Sequence, residues 1–235
     1  MSKIEWCDKT WNPITGCTPI SEGCENCYAA KMAKRLKGRF GYPAYKPFSF
    51  AFHADKMEQP GKWKKPKRIF VGSMTDMGNN EMIPWKAFYQ VMNVCREQRH
   101  HTFMLLTKRP EDLLESLDPW MSGLHLQKLP KNIWVGVTAE NQQRAAERLP
   151  VLAQIPAAVR FVSVEPMLEP VSITGYNPDW VICGAETGAG ARPMDLKWSR
   201  NLHAQCAVMS IPFFMKKTSD GDPPSDLMIR QFPGG

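Results

Sequence analysis

Short apolar runs, rich in β-branched and aromatic residues, recur along the chain at a steady interval: FSFAF at 48–52, RIFVGS at 68–73, TFMLLT at 102–107, NIWVGVT at 132–138, VRFVSVE at 159–165, DWVICGAE at 179–186 and IPFFMKK at 211–217. Most are nearly continuous rather than alternating, which predicts strands buried on both faces. A further short strand is expected at Lys3–Trp6. Between several of these runs, apolar residues repeat at helical spacing over 84–98 (Trp85, Phe88, Val91, Met92, Cys95), 111–121, 141–153 and 197–208. Pro84 and Pro110 stand where first-turn prolines belong. Strands alternating with helices predict an α/β protein with a parallel sheet and crossover helices.

An open doubly wound sheet and a closed or partly closed (β/α) barrel both satisfy that pattern. The polar residues favour the barrel, because almost every apolar run ends in them: Ser73, Thr75 and Asp76; Thr107, Lys108 and Arg109; Thr138, Glu140 and Asn141; Ser163 and Glu165; Glu186; Lys216 and Lys217. Strand ends converge on one mouth in a barrel, and chemistry gathers there. The expected organisation is one barrel-like domain over residues 1–217, complete or partial, followed by a C-terminal tail over 218–235 that begins near DGDPPSD.

Composition narrows the partners. No stretch approaches the ~20 apolar residues of a membrane span, and MSKIEWCDKT lacks the apolar core of a secretory signal. The expectation is a cytoplasmic protein without a membrane partner, whose thiols stay reduced. Seven cysteines also argue against a disulfide framework. A net charge of +7 suits a polyanion such as nucleic acid. The densest basic run, GKWKKPKRIF at 61–70, reads either as a phosphate-binding strip (Lys62, Lys64, Lys65, Lys67, Arg68) or as a solvated lead-in to a strand.

Cys17, Cys24 and Cys27 form a C-x6-C-x2-C pattern at the mouth of a helix. Three thiolates suit an iron–sulfur cluster with one iron left open to a ligand. They also suit a zinc site if Cys7 supplies a fourth thiolate, as in a zinc-stabilised nucleic-acid-binding module without catalysis. Structural zinc sites more often pair two CxxC units, and a domain of this size needs no metal staple. Cys95, Cys183 and Cys206 fall on apolar faces and read as core. His100 and His101, beside a helix end, read as solvated caps.

The loop NPITGC…GCENCYA resembles the cluster loop of radical S-adenosylmethionine enzymes, especially that of the spore photoproduct lyase group. The wider set WNPITGC, GCENCYA, IFVGSMTDM, LLTKRPE, VGVTAEN, SVEPML and CGAETGAGARPM resembles a phage and bacterial family of three-cysteine, radical-SAM-like proteins and spans about Ile4 to Lys217. Radical SAM loops usually place three residues between the first two cysteines, whereas Thr18–Gly23 makes six here. The resemblance implies a barrel of the radical SAM type, with a [4Fe–4S] cluster on Cys17, Cys24 and Cys27. It implies S-adenosylmethionine on the open iron, a flavodoxin- or ferredoxin-like electron donor, and a 5′-deoxyadenosyl radical that takes a hydrogen from the substrate. The substrate class it suggests is a nucleobase or nucleotide, such as a modified thymidine in phage DNA undergoing rearrangement or hypermodification in the host cytoplasm.

Candidate helpers sit at the strand ends. Glu165 and Glu186 would hold the cofactor's ammonium or ribose, as would Ser73, Thr75 and Asp76, with Ser163 beside them. Gly184, opening GAETGAG, would let backbone approach the cofactor, although a plain turn accounts for it equally. Lys108 and Arg109, with Glu165, are the candidates for contact with the reacting substrate, Arg being shaped for carboxylate or phosphate. For Thr75, Asp76 and Asn141 the alternative is a helix cap.

Overall fold

The computed structural model describes residues 4–234. It divides into two compact units: residues up to Ile20 with Cys27–Trp134 and Pro156–Ala158, and Ser21–Asn26 with Val135–Ile155 and the chain from Val159 onward. Within each unit the strands of the main sheet run parallel and alternate with helices, so the chain is α/β as its alternation predicts.

The first unit holds β1 (Lys9–Trp11), β2 (Ile14–Thr15), α1 (Tyr28–Arg35), β3 (Ala51–Phe52), α2 (Gln59–Lys62), β4 (Arg68–Val71), α3 (Trp85–Glu97), β5 (Thr102–Thr107) and α4 (Pro110–Gly123). β4 pairs in parallel with β1 on one side and β5 on the other. Its strands are buried on both faces, as their unbroken apolar runs require: Ile69, Val71, Phe103, Met104 and Leu105 have no more than traces of exposed surface. Trp6 packs on Phe70 with ring centroids 4.7 Å apart, and Trp11 on Phe103 at 5.9 Å.

Three expectations are corrected here. The predicted first strand at Lys3–Trp6 begins outside the described residues, and Ile4–Trp6 form a turn; the strand is Lys9–Trp11. FSFAF does not join the main sheet. Only Ala51 and Phe52 are extended, and they pair antiparallel with β2 in a separate two-stranded ribbon. The ribbon is held where Gly16, at φ 108°, runs so close to Ser49 that a Cβ would stand 2.3 Å from its carbonyl oxygen. Trp85, grouped with the apolar helix face, is 70 % exposed because it occupies the first turn of α3, ahead of the buried Phe88, Val91, Met92 and Cys95.

The second unit carries β6 (Ile133–Thr138, from Val135), α5 (Gln142–Gln154), β7 (Arg160–Val164), β8 (Trp180–Cys183), α6 (Leu196–Val208) and β9 (Phe213–Met215). All four strands are parallel and neighbours in chain order. Asn141 caps α5 as its sequence suggests, its side chain accepting from Arg144 N at 2.9 Å. The stretch expected as a loose tail runs back along β9 instead: Met215 N donates to Ile229 O, and Gln231 N to Phe213 O. Trp180 explains this. It is wholly buried, packs on Phe161, Phe214 and Phe232, and donates its indole N–H to Gln231 O at 2.9 Å.

Gly136 faces Phe161 across the β6–β7 ladder, and a Cβ there would meet the Phe161 ring at 2.4 Å. The glycine is the seat of the ring. Gly136→Ala is therefore expected to destabilise the protein by about 1–3 kcal/mol through overpacking. Adding Phe161→Leu should return part of that loss, and chemical denaturation of the single and double variants measures it. Equal, additive losses would contradict the contact.

Candidate functional site

In the first unit the polar groups converge on one carboxylate. Asp76 lies in the turn after β4 and is buried. Its Oδ1 accepts from Gly78 N at 3.0 Å and Thr107 Oγ1 at 2.5 Å, and its Oδ2 from Lys108 N at 3.0 Å and Arg109 Nη1 at 3.3 Å. Two strand ends are thereby tied together. Arg109, also buried, extends from this clamp toward the cysteine loop: Nη2 donates to Thr18 O and Thr18 Oγ1, both at 2.9 Å, and Nη1 stands 3.9 Å from Cys17 Sγ. Asn79, buried, also donates to Thr18 Oγ1 at 3.1 Å. The approach is close, since a Cβ on Gly78 would meet Arg109 O and Thr107 Oγ1 at 2.5 Å. Thr75 Oγ1 donates to Gly16 O, fixing the peptide before Cys17. Ser73 Oγ bonds with the Asn12 side chain, and Tyr28 OH donates to Ser73 O. Cys27 precedes α1, its carbonyl accepting from Lys31 N at 3.2 Å, and packs with Leu36 and Phe48 against Ala29, Ala33, Tyr42 and Met74.

The second unit holds the middle of the loop, Ser21–Asn26, by four charged groups. Glu140, fully buried just past β6, accepts from Ser21 Oγ and from Gly23 N at 3.3 Å, while Arg148 Nη1 closes its other oxygen at 2.7 Å. Arg144 grips Glu22 with two bonds of 3.1 and 3.0 Å. The Arg144 hydrogen bond draws the Glu22 carboxyl down to about 2. Arg192 donates to Glu186 through N, Nε and Nη2 (2.8, 3.0 and 2.6 Å) and reaches on to Glu22 O and Glu25. Asn26 Nδ2 links Glu186 to Gly190 O, at 3.0 Å each. Burial alone would raise the Glu186 carboxyl, but bonds from Arg192 and Asn26 outweigh it and hold it at about 2. Elsewhere in this unit Lys216 Nζ pairs with Glu165 beside Gly184, where a Cβ would sit 3.3 Å from Lys216 and 3.4 Å from Glu165. Ser163 is buried within β7.

The seven cysteines, none of them in a disulfide, separate into two groups by environment. Cys7, Cys95, Cys183 and Cys206 are buried, whereas Cys17, Cys24 and Cys27 are each half-buried. Burial pushes the Cys95 and Cys183 thiols up and that of Cys206 to about 12, which keeps them protonated and inert. The Cys7 thiol faces Ile4 O at 3.6 Å. Among the described residues no three His, Cys, Asp or Glu side chains are gathered as a ligand set for a metal ion. As donors, thiols only partly buried suit iron–sulfur ligation, and Arg109 supplies positive charge beside that of Cys17.

A family model described as "Protein of unknown function (DUF5131)" matches residues 1–224. The chain belongs to the DUF5131 family. No curated protein and no solved structure matches it.

In this DUF5131 chain the first unit joins Cys17, Asp76, Arg109 and the Lys108 backbone in one network, with Ser73 and Thr75 beside it. The second joins Glu186 to the Cys24 segment and Glu165 to Lys216. Arg192, Arg148, Arg144, Asn26, Ser21, Thr18 and Asn79 belong to these networks although no sequence motif marks them as site residues. A buried strand-end carboxylate needs a cation, which was the signal for the arginines; nothing local marks the others. His101 corrects an expectation, for it is buried rather than a solvated cap. Its Nδ1 accepts from Lys67 N at 3.1 Å, so the neutral ring carries its proton on Nε2 and donates to Pro60 O at 3.0 Å.

The carboxyl of Glu186 lies at about 2 in the folded chain against an ordinary 4.5. A lowered folded value contributes stability at pH above about 4.5, lost as pH falls toward 2. Arg192→Met should cost about 3–5 kcal/mol near neutrality, because it leaves Glu186 buried without its cation. The variant should also lose much of the acid-dependent decline between pH 5 and 3. Denaturation midpoints across that range measure both, and parallel pH profiles for parent and variant would refute the pairing.

Proposed function

We propose that this protein is a radical S-adenosylmethionine enzyme on a partial barrel, acting on a nucleobase or nucleotide by isomerase- or lyase-type chemistry. The observation that carries the reading is the division of the cysteines: the three of the C-x6-C-x2-C loop are the half-buried ones, and the other four are buried. A structural role for the loop thiols would place them in the core with the rest.

Cys17, Cys24 and Cys27 would hold a [4Fe–4S] cluster, with S-adenosylmethionine as its ligand. When bound and given one electron by a flavodoxin- or ferredoxin-like donor, that pair would supply reductive cleavage of the sulfonium carbon–sulfur bond, releasing methionine and a carbon radical able to abstract hydrogen. The chain's own residues bind, orient and screen. Arg109, fixed by Asp76 and Thr18, sets the position of the Cys17 peptide and offsets negative charge near its sulfur. Glu140 and Arg192 hold the Ser21–Asn26 segment by its backbone and side chains. These are positioning residues. Lys108, half-buried after β5, is the strand-end cation we assign to a substrate carboxylate or phosphate. Seven cysteines with no disulfide among them suit a reducing compartment, and among the described residues no helix is long and apolar enough to cross a membrane.

Anaerobic reconstitution with iron and sulfide tests the ligand set. Alanine at Cys17, Cys24 or Cys27 should each abolish the broad absorbance of thiolate-bound iron, while Cys7→Ala should retain it. Loss on Cys7→Ala, with zinc rather than iron bound in the purified protein, would instead establish the four-thiolate zinc module.

Reduced, reconstituted protein should slowly release methionine and 5′-deoxyadenosine from S-adenosylmethionine without substrate. If neither product forms while the cluster is intact and a reductant is present, the radical reading fails.

A further inference from the structure

The positive charge of this chain is concentrated in one segment. Between Glu25 and Asp55 there is no acidic residue, and six cations fall there: Lys31, Lys34, Arg35, Lys37, Arg39 and Lys46. The rest of the chain is close to neutral, with twenty-four basic against twenty-three acidic residues. The 61–70 run is a weaker claimant, since Lys62 pairs with Glu58 and Arg68 with Asp8. Lys34, Arg35, Lys37, Arg39 and Lys46 are exposed and form no ion pair among the described residues. Cations in the last turn of α1 suit the helix dipole, but that accounts only for Lys34 and Arg35.

Two rings stand among these charges. Phe40 is 74 % exposed and Tyr45 88 %. Phe40 also adopts φ 52°, a left-handed conformation that a bulky residue avoids, and no burial compensates it. The loop holds it there: Gly38 N donates to Tyr42 O at 3.1 Å, Tyr42 N to Arg39 O at 3.0 Å, and Arg39 N to Leu36 O at 2.8 Å. Tyr42 is buried beneath and lies against His53, with centroids 5.9 Å apart. The ring is thus presented to solvent on a fixed support.

We propose that residues 31–46 bind single-stranded nucleic acid, the cations tracking phosphates and Phe40 and Tyr45 stacking on bases. Exposed rings interleaved with cations are what an unpaired strand requires, because its bases offer faces that a duplex keeps stacked. A membrane surface fits less well, since α1 turns Ala29 and Ala33 into the protein core and exposes just two large apolar side chains, Tyr28 and Met32, short of the broad apolar face an inserted helix needs. The proposal stands on this segment and does not depend on the radical chemistry.

The test is fluorescence anisotropy with a labelled mixed-sequence DNA single strand of about 20 nucleotides, its duplex, and anionic phosphatidylserine vesicles as a competitor. Phe40→Gly removes the ring and suits the left-handed backbone, so the fold is retained; thermal unfolding checks this. Its affinity for the single strand should fall about 5- to 100-fold. Lys34→Gln, Arg35→Gln and Lys37→Gln together should lower the slope of log affinity against log salt by about 2. Lys64→Gln with Lys65→Gln should leave binding unchanged, as should Cys24→Ala, which separates this result from the fate of the cluster. The proposal is overturned if Phe40→Gly binds like the parent, if the duplex binds as tightly as the single strand, or if vesicles displace the DNA.

Discussion

A carboxylate carried into the interior at the end of a parallel strand loses most of its hydration, and only a cation or several N–H groups can replace it. This constraint organises the polar half of the protein. Asp76 is met by Arg109, Glu140 by Arg148, the half-buried Glu165 by Lys216 and Glu186 by Arg192, each pair within one unit. The apolar strands supply the bulk of the burial, but these pairs determine where the turns beyond the strands lie.

Three of the four pairs do more than neutralise charge. Arg109 spends its remaining donors on Thr18, Glu140 accepts from Ser21 and Gly23, and Arg192 reaches Glu22 and Glu25. The cysteine loop has little regular structure of its own beyond the short turn Glu22–Cys24. Its order is borrowed from buried charges whose own positions are costly to change. That is the support a ligand-bearing loop needs, since a ligand displaced by even about 1 Å is poorly used.

Several strand-end groups first assigned to a cofactor therefore have an internal occupation. Both oxygens of Glu186 are taken by Arg192 and Asn26, and Asp76 receives four donors. In the proposed reading they act on the cofactor through the loop they position. Lys108 gives its backbone N–H to Asp76, and in the proposed reading its side chain is a substrate contact.

The sequence by itself determined the elements whose signal is local. Buried parallel strands appear as unbroken apolar runs, and Pro110 and Asn141 mark helix starts through φ restriction and capping. The cysteine loop was equally plain, since spacing is a property of the chain. Tertiary structure alone decided the remainder. Lys9–Trp11 became a strand because β4 offered an edge, while the more apolar FSFAF pairs through Ala51 and Phe52 with β2, beside the close passage of Gly16 at Ser49. His101 was buried by acceptor and donor groups of Pro60 and Lys67, more than thirty residues away in sequence. The partners of Glu140 and Glu186 lie on segments that composition cannot rank, because pairing a buried charge depends on which cation the fold brings within about 3 Å.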